Sequence, residues 1–276
     1  MKYNLTFIDD YTQFNVIYLL ENKSEVLNYF KKYEAVVSVH FRQTIQSLRC
    51  DNGGEYISHN FKNFCAQKGI VVNYTAPYTP EQNGLAERTN RTIIESTRSL
   101  LFQSGLSKEM WSEAALMVTY LLNRLPTSKN SSKTPTEFWN GCKLNLSNIR
   151  VFGCATFAHI PKQLRSKLDS KLRKSVMLGF VESGYRLWDL ETRAIFVSQD
   201  VIFNENRMQG NQNISKISEV NIREDEPEED ENYKEDESQE AENDRKDEHK
   251  EETKDIIMKI RRLEDNKTTQ PKRKVT

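Results

Sequence analysis

The sequence predicts an α/β domain over residues 1–145, a small all-β domain over residues 146–206, and a disordered tail, acidic then basic, over residues 207–276. Three observations predict this. Apolar runs of strand length alternate with longer stretches of helical period up to about residue 140. Five short β-like runs then follow, punctuated by Gly179, Gly184 and the stretch from Asp189 to Thr192. Beyond Asn206 charge displaces apolar content, and residues 219–255 hold too few apolar side chains to offset the entropy of ordering a backbone.

The elements follow in order. Residues 5–9 and 15–20 are short apolar runs split by a polar turn, which reads as a hairpin. Ser24 can cap a helix running to about Arg42, with Val26, Phe30, Tyr33, Val37 and Phe41 near a 3.6 period. Residues 43–50 return as a strand ending at Asp51, and Asn52-Gly53-Gly54 is a tight turn. A short helix over 58–68 stops at Gly69, and residues 70–74 form another strand. Residues 76–84, with Pro77, Pro80 and Gly84, read as a loop. A long helix to about Ser104 follows, then one capped by Ser107 that buries Trp111, Ala114, Ala115, Val118, Leu121 and Leu122. Thr134-Pro135-Thr136 reads as a cap with proline at the first helical position. In the β-like part, Tyr185 and Trp188 are expected in the core of the small domain.

Composition bounds the function. At 276 residues, 37% hydrophobic and 29% charged, the chain can build one or two domains with real cores. No run approaches the length of a membrane span, and no membrane partner is expected. The first ten residues carry one lysine and two acids, unlike a secretory leader, and read like the interior of a strand; the chain is therefore expected to begin inside a domain. Cys50, Cys65, Cys142 and Cys154 fit no zinc spacing and are expected as reduced thiols of an intracellular protein. A formal net charge of zero conceals an asymmetry. Residues 1–218 hold 27 Lys and Arg against 19 Asp and Glu, residues 219–255 hold 6 against 19, and residues 256–276 hold 7 against 2. A basic body behind an acidic stretch points to a polyanionic partner.

Two carboxylates stand where chemistry could be done. Asp51 closes a strand, and Glu87 lies near the start of a helix, with 35 residues between them. A strand end and a helix start can converge at one edge of an α/β sheet, where paired carboxylates could hold divalent cations for phosphodiester chemistry. Taken alone, Asp51 reads equally as a turn-forming Asx residue, and Glu87 as a first-turn glutamate favoured by the helix dipole or paired with Arg91.

The surrounding residues weigh against those structural readings. Phe7-Ile8-Asp9-Asp10-Tyr11-Thr12, residues 48–56, Tyr78-Thr79-Pro80-Glu81-Gln82-Asn83-Gly84-Leu85-Ala86-Glu87-Arg88-Thr89-Asn90-Arg91-Thr92, and residues 171–205 together resemble the integrase region of copia-type retrotransposon Pol polyproteins, and more distantly retroviral integrases. The likeness covers about residues 3–206, and the spacing from Asp51 to Glu87 matches the family's signature. The resemblance implies an RNase H-like integrase core followed by an SH3-like domain. It also implies two Mg²⁺ or Mn²⁺ ions, double-stranded DNA as partner, self-association, and joining of an element's 3′ ends to target DNA. Asp51 and Glu87 then match the second and third acids of a catalytic and metal-binding triad.

The first acid of that triad belongs to an earlier strand. Asp9 and Asp10 match the family's second-strand pair, which is not a metal ligand. The core is therefore expected to lack its first strand, leaving a gap with unpaired edges. The chain as written is expected to be inactive; the alternative is a non-catalytic nucleic-acid-binding or assembly protein of retrotransposon origin. Gln82, Asn83, Arg88, Arg91 and Arg98 are candidate DNA contacts, as are Lys171, Arg173 and Lys174, which form a basic cluster with Arg165 and Lys167. Glu55 lies close to Asp51 but off the triad, and is assigned to turn or helix-start duty. Lys272, Arg273 and Lys274 resemble a nuclear import signal, so nucleus and cytoplasm are the expected compartments.

Overall fold

The computed structural model describes residues 1–75, 84–129, 131–208 and 256–262. Its first strands, β1 (Tyr3–Asp9) and β2 (Asn15–Leu20), form the antiparallel hairpin expected from the sequence. The turn is fixed locally: Asp9 Oδ2 accepts from the Thr12 amide at 2.8 Å and from Thr12 Oγ1 at 2.6 Å. A 3-10 turn leads into α1 (Val26–Phe41), which buries Val26, Phe30, Tyr33 and Val37. Next come β3 (Ile45–Cys50), the single turn α2 (Gly54–Ile57), α3 (His59–Lys68) and β4 (Val71–Tyr74). Ser58 caps α3, its Oγ accepting from the Phe61 amide. The long helix α4 (Gly84–Ser104), α5 (Trp111–Leu122) and α6 (Pro135–Asn140) complete the first unit. At α6, Thr134 and Glu137 form a capping box behind Pro135.

Both faces of the sheet are covered. Leu5, Phe7, Leu20, Leu48 and Cys50 pack with Phe30, Tyr33, Val37 and Phe61 beneath α1 and α3. Phe7 and Tyr33 stack at 4.6 Å, and each fully buried aliphatic or Phe side chain is worth about 1.5–3 kcal/mol. On the other face Ile17 meets Ile93, Ala115 and Val118 of α4 and α5, while Ile8 meets Ala86. Asn123, just past α5, locks the start of β2: its side chain both accepts from the Asn15 amide at 2.8 Å and donates to the Asn15 carbonyl at 2.7 Å.

The middle of this sheet corrects the expectation of a disordered tail over residues 207–276, because part of that stretch is a strand. β10 (Ile256–Arg262) lies between β1 and β3, in the order β2-β1-β10-β3-β4. It runs parallel to β1 and antiparallel to β3. The gap expected between unpaired strands is thus filled from the far end of the chain. The physical reason is legible afterwards: Ile256-Ile257-Met258-Lys259-Ile260 begins where the acidic run stops, and both flanking edges require hydrogen-bond partners. On the α4 side of β1, the side chains of Asn4 and Thr6 are buried without a hydrogen-bond partner, as are those of Asn90 and Thr97 on the buried stripe of α4.

The second unit is a five-stranded antiparallel sheet of β5 (Cys154–His159), β6 (Leu172–Val181), β7 (Gly184–Asp189), β8 (Ile195–Ser198) and β9 (Val201–Met208), ordered β8-β7-β6-β5-β9. Its core is Cys154, Ala158, Met177 and Leu187, with Tyr185, Phe196 and Phe203 against them. Trp188 does not join that core. It packs with Ala114, Met117 and Leu178, where the small sheet meets α5, so its role is docking between the units. There Tyr120 stacks on Phe180 at 4.5 Å, and Arg186 grips Glu113 through two hydrogen bonds of 2.6 and 2.9 Å. Gly153 makes the approach possible. At φ 79° a Cβ there would come within 2.2 Å of the Ser104 Cβ.

Candidate functional site

Asp51 is the first residue beyond β3, exposed at the strand's end. Its Oδ1 accepts from the Gly53 amide at 3.0 Å, an Asx turn that orients the carboxylate. The turn is anchored to its neighbour strand: Asn52 Nδ2 donates to the Thr75 carbonyl at 2.9 Å, and the Thr75 amide donates to the Cys50 carbonyl at 3.0 Å. The strand-end position expected for Asp51 and the turn reading are therefore both realised in one geometry.

Glu55, assigned by sequence to turn or helix-start duty close to Asp51, lies on the first turn of α2 and stands beside Asp51. A Cβ built on Gly53 would lie 3.0 Å from both Asp51 Oδ1 and Glu55 Oε1, so the two oxygens are no more than twice that apart. Lys23 Nζ pairs with Glu55 Oε1 at 3.5 Å. The negative charge is felt by the groups beneath. Burial pushes the Cys50 thiol up to about 12, with Asp51, Cys65 and Glu55 adding to the effect. Burial likewise raises the Tyr56 hydroxyl, helped by Asp51, Cys50 and Glu55. The signal available in the sequence was the four-residue interval from Asp51 to Glu55 across two glycines, which lets the chain fold back on itself.

Glu87 lies on the first turn of α4 and is exposed. Its neighbour Ala86 is fully buried against Ile8, which ties the start of α4 to β1. Ile8 lies across Lys259 from Arg49, two residues before Asp51. At a strand spacing of about 4.8 Å and a rise of about 3.3 Å per residue, that anchor is roughly 12 Å from Asp51 across the sheet. The described residues contain no Glu87–Arg91 ion pair, which removes one structural reading of Glu87. Asp9 shares a row with Ile260 and Leu48, further back from Asp51; it is buried and serves the hairpin turn, while Asp10 pairs with Lys129 at 3.6 Å.

Of the candidate DNA contacts, Arg88, Arg91 and Arg98 are exposed along α4, and Arg88 Nε donates to the Gly84 carbonyl at 2.9 Å. Lys171 and Lys174 are exposed at the start of β6. Arg173 is more constrained: it pairs with the buried Asp189 at 3.5 Å and lies over the Phe196 ring at 5.0 Å. Gln82, Asn83, Lys272, Arg273 and Lys274 lie outside the described residues.

Among the described residues no group of three His, Cys, Asp or Glu side chains could hold a metal ion. The donor set nonetheless suits a hard cation. Mg²⁺ is usually held by one or two carboxylates and completed by substrate phosphates. Asp51 and Glu87, both exposed and both oxygen donors, suit that mode.

An α/β core with its acidic turn at a strand end, carrying a small antiparallel sheet on its helices, is the architecture of an integrase core with an SH3-like domain. Residues 1–80 match the Integrase core domain family, and residues 154–217 match the Retroviral polymerase SH3-like domain family. The chain belongs to the integrase region of copia-type retrotransposon Pol polyproteins. It is 41% identical over 209 residues to the Retrovirus-related Pol polyprotein from transposon TNT 1-94 of Nicotiana tabacum, which covers 75% of this chain. It is 34% and 32% identical to the corresponding polyproteins from transposons RE1 and RE2 of Arabidopsis thaliana, each covering 74% of this chain. The matched segment spans 16%, 14% and 14% of those relatives. Among solved structures, the simian T-cell lymphotropic virus intasome in complex with a PP2A regulatory subunit aligns at 18% identity with a TM-score of 0.39, covering 70% of this chain and 68% of its own. No helix among the described residues is long and apolar enough to cross a membrane.

Proposed function

We propose that this chain works on double-stranded DNA as an integrase-derived polynucleotidyl transferase core, with Asp51 and Glu87 as two of its catalytic carboxylates. The observation that carries the reading is the placement of Asp51. It is exposed at the end of β3, held by the Gly53 amide and braced through Asn52 to the end of β4. In the reaction class, a hydroxyl attacks a phosphodiester in line. The new P–O bond forms as the opposite P–O bond breaks, and the departing oxygen takes up a proton. Water is the attacking group in 3′-end processing, and the freed 3′-hydroxyl is the attacking group in strand transfer. Bound Mg²⁺ or Mn²⁺ would activate the attacking oxygen and stabilise the leaving one.

This chain's own residues supply the rest. Asp51 and Glu87 present oxygens toward the phosphate. Arg91 and Arg98, with Lys171 and Lys174, offer positive charge to the DNA backbone, Arg88 adds to it from the first turn of α4, and Gln82 and Asn83 join from the segment before α4. Arg173 holds the small sheet in shape through Asp189. Self-association follows from the same kinship, and Lys272, Arg273 and Lys274 would direct the protein to the nucleus. Joining as the family performs it takes a third carboxylate. The reading therefore has two levels: DNA binding by this chain, and joining by this region when a third acid completes the set.

The test separates the levels. Duplex binding and oligonucleotide joining are measured for the chain with Mg²⁺ and with Mn²⁺, alone and extended upstream by the relatives' sequence. Binding by both forms, with joining only by the extended form and lost in Glu87→Gln, is the expected result. Joining that survives Glu87→Gln removes Glu87 from the mechanism. Binding without joining in both forms assigns the non-catalytic reading.

A further inference from the structure

The central position of the first sheet is held by a strand that arrives across 47 residues of sequence, from Met208 to Ile256. β10 pairs with β1 from Leu5↔Ile256 to Asp9↔Ile260, and with β3 from Cys50↔Met258 to Ile45↔Arg262. Without it the sheet divides into two ribbons, β2-β1 and β3-β4, each with a bare edge facing the other. Two-stranded ribbons are marginal alone. The walls of the slot are already built for a strand: Leu5, Phe7, Leu48 and Cys50 are all fully buried under α1 and α3. On the other face the side chains of Asn4, Thr6 and Asn90 are buried without hydrogen-bond partners.

We propose that the space between β1 and β3 is a strand-acceptor site, filled in cis by Ile256–Arg262, and that this strand is a removable donor. The recognition is strand addition within a sheet: main-chain hydrogen bonds hold the guest, and alternate register positions select its side chains. Apolar residues stand at the positions paired with Leu5 and Phe7, namely Ile256 and Met258. The closure cost of tethering the donor rises only with the logarithm of the intervening length, so a distant segment can fill the slot. Occupancy also bears on the acidic turn, because Met258 pairs with Cys50, the residue before Asp51.

The native Cys50 allows a direct test on the full chain. Antiparallel partners lie about 4.5–5.5 Å apart at Cα, inside the range a disulfide spans. Met258→Cys is expected to form an intrachain disulfide with Cys50 on mild oxidation, in monomers, mapped by mass spectrometry. Lys259→Cys, whose partner is Arg49, is expected to form at least tenfold less. A disulfide between chains would make a second copy the donor, and no disulfide at Cys50 would empty the slot; either overturns the proposal. Removability is read on the unmodified protein. A synthetic peptide of residues 254–264 carrying Met258→Cys is expected to crosslink to Cys50, with excess native-sequence peptide suppressing the product. A peptide that never reaches Cys50 would show a permanent strand and overturn the donor's removability.

Discussion

Severing the clamp between the two units gives the most direct reading of how they are held. Arg186 meets Glu113 through two hydrogen bonds, and the Glu113 side chain is 9% exposed against 36% for Arg186. Arg186→Ala leaves the Glu113 carboxylate in its recess without that partner. Removing one member of a fully buried pair costs about 3–5 kcal/mol, while an exposed pair is worth about 0–1 kcal/mol. Water reaches the guanidinium side here, so the expected loss is about 2 kcal/mol. For a body of this size that lowers Tm by roughly 4–8 °C. The assay is urea and thermal unfolding followed by the fluorescence of Trp188, which packs against α5 from the small sheet, and of Trp111, the first residue of α5, which packs toward Ile17 and Ile93 of the first unit. A double-mutant cycle with Glu113→Ala isolates the pair, and a coupling of about 1–2 kcal/mol is expected. Losses that simply add, within about 0.3–0.5 kcal/mol, would show that the ion pair contributes nothing and that the apolar contact around Ala114, Met117 and Leu178 holds the units by itself.

Other outcomes follow from single positions. Gly53→Ala puts a Cβ about 3 Å from the Asp51 and Glu55 carboxylates but meets only side-chain ends, so Tm should stay within about 2 °C while divalent-ion affinity changes at least severalfold. Gly153→Ala combines positive φ with a 2.2 Å clash on Ser104 and should cost about 3 kcal/mol or more, measured by denaturant unfolding. Burial raises the Asp189 carboxyl, but hydrogen bonds from the Glu191 amide and from Thr192, with the charge of Arg173, outweigh it and leave the group below its ordinary 3.8. A depressed folded value means that its stabilisation is complete above about pH 4 and fades as pH falls through the folded value. The stability gap between wild type and Asp189→Asn should therefore shrink between pH 6 and pH 3; a constant gap would remove Asp189 from the acid response.

Local pattern carried much of this architecture. Val26, Phe30, Tyr33 and Val37 announce the buried face of α1 because their spacing is that of the helix itself. The cap at Thr134 with Pro135 is likewise written in four consecutive residues. Asp51 could be placed at a strand end because the glycines behind it force a turn. β10 was not legible in this way. Seven residues of mixed apolar and basic character become a strand only because β1 and β3, two hundred residues earlier, leave a slot between them. Trp188 was misplaced for a related reason: strand alternation says that a residue is inward or outward, but not that the outward face meets α5. The closeness of Glu55 to Asp51 is legible in the short interval across Gly53 and Gly54, whereas the distance between the two carboxylates depends on the turn geometry, which no sequence period fixes.

Asp51 and Glu87 are proposed above as paired ligands of a cation that nucleic acid completes. The direct measurement is Mn²⁺ binding to the full chain by electron paramagnetic resonance, with and without a short duplex, for wild type, Asp51→Asn and Glu87→Gln. Asn at position 51 can still accept from the Gly53 amide, so the turn survives the change. This pairing predicts that duplex tightens Mn²⁺ binding in wild type, and that each substitution weakens it at least ~10-fold, about 1.4 kcal/mol, while duplex affinity at matched salt stays within about twofold. Mn²⁺ binding that is indifferent to both substitutions would contradict it.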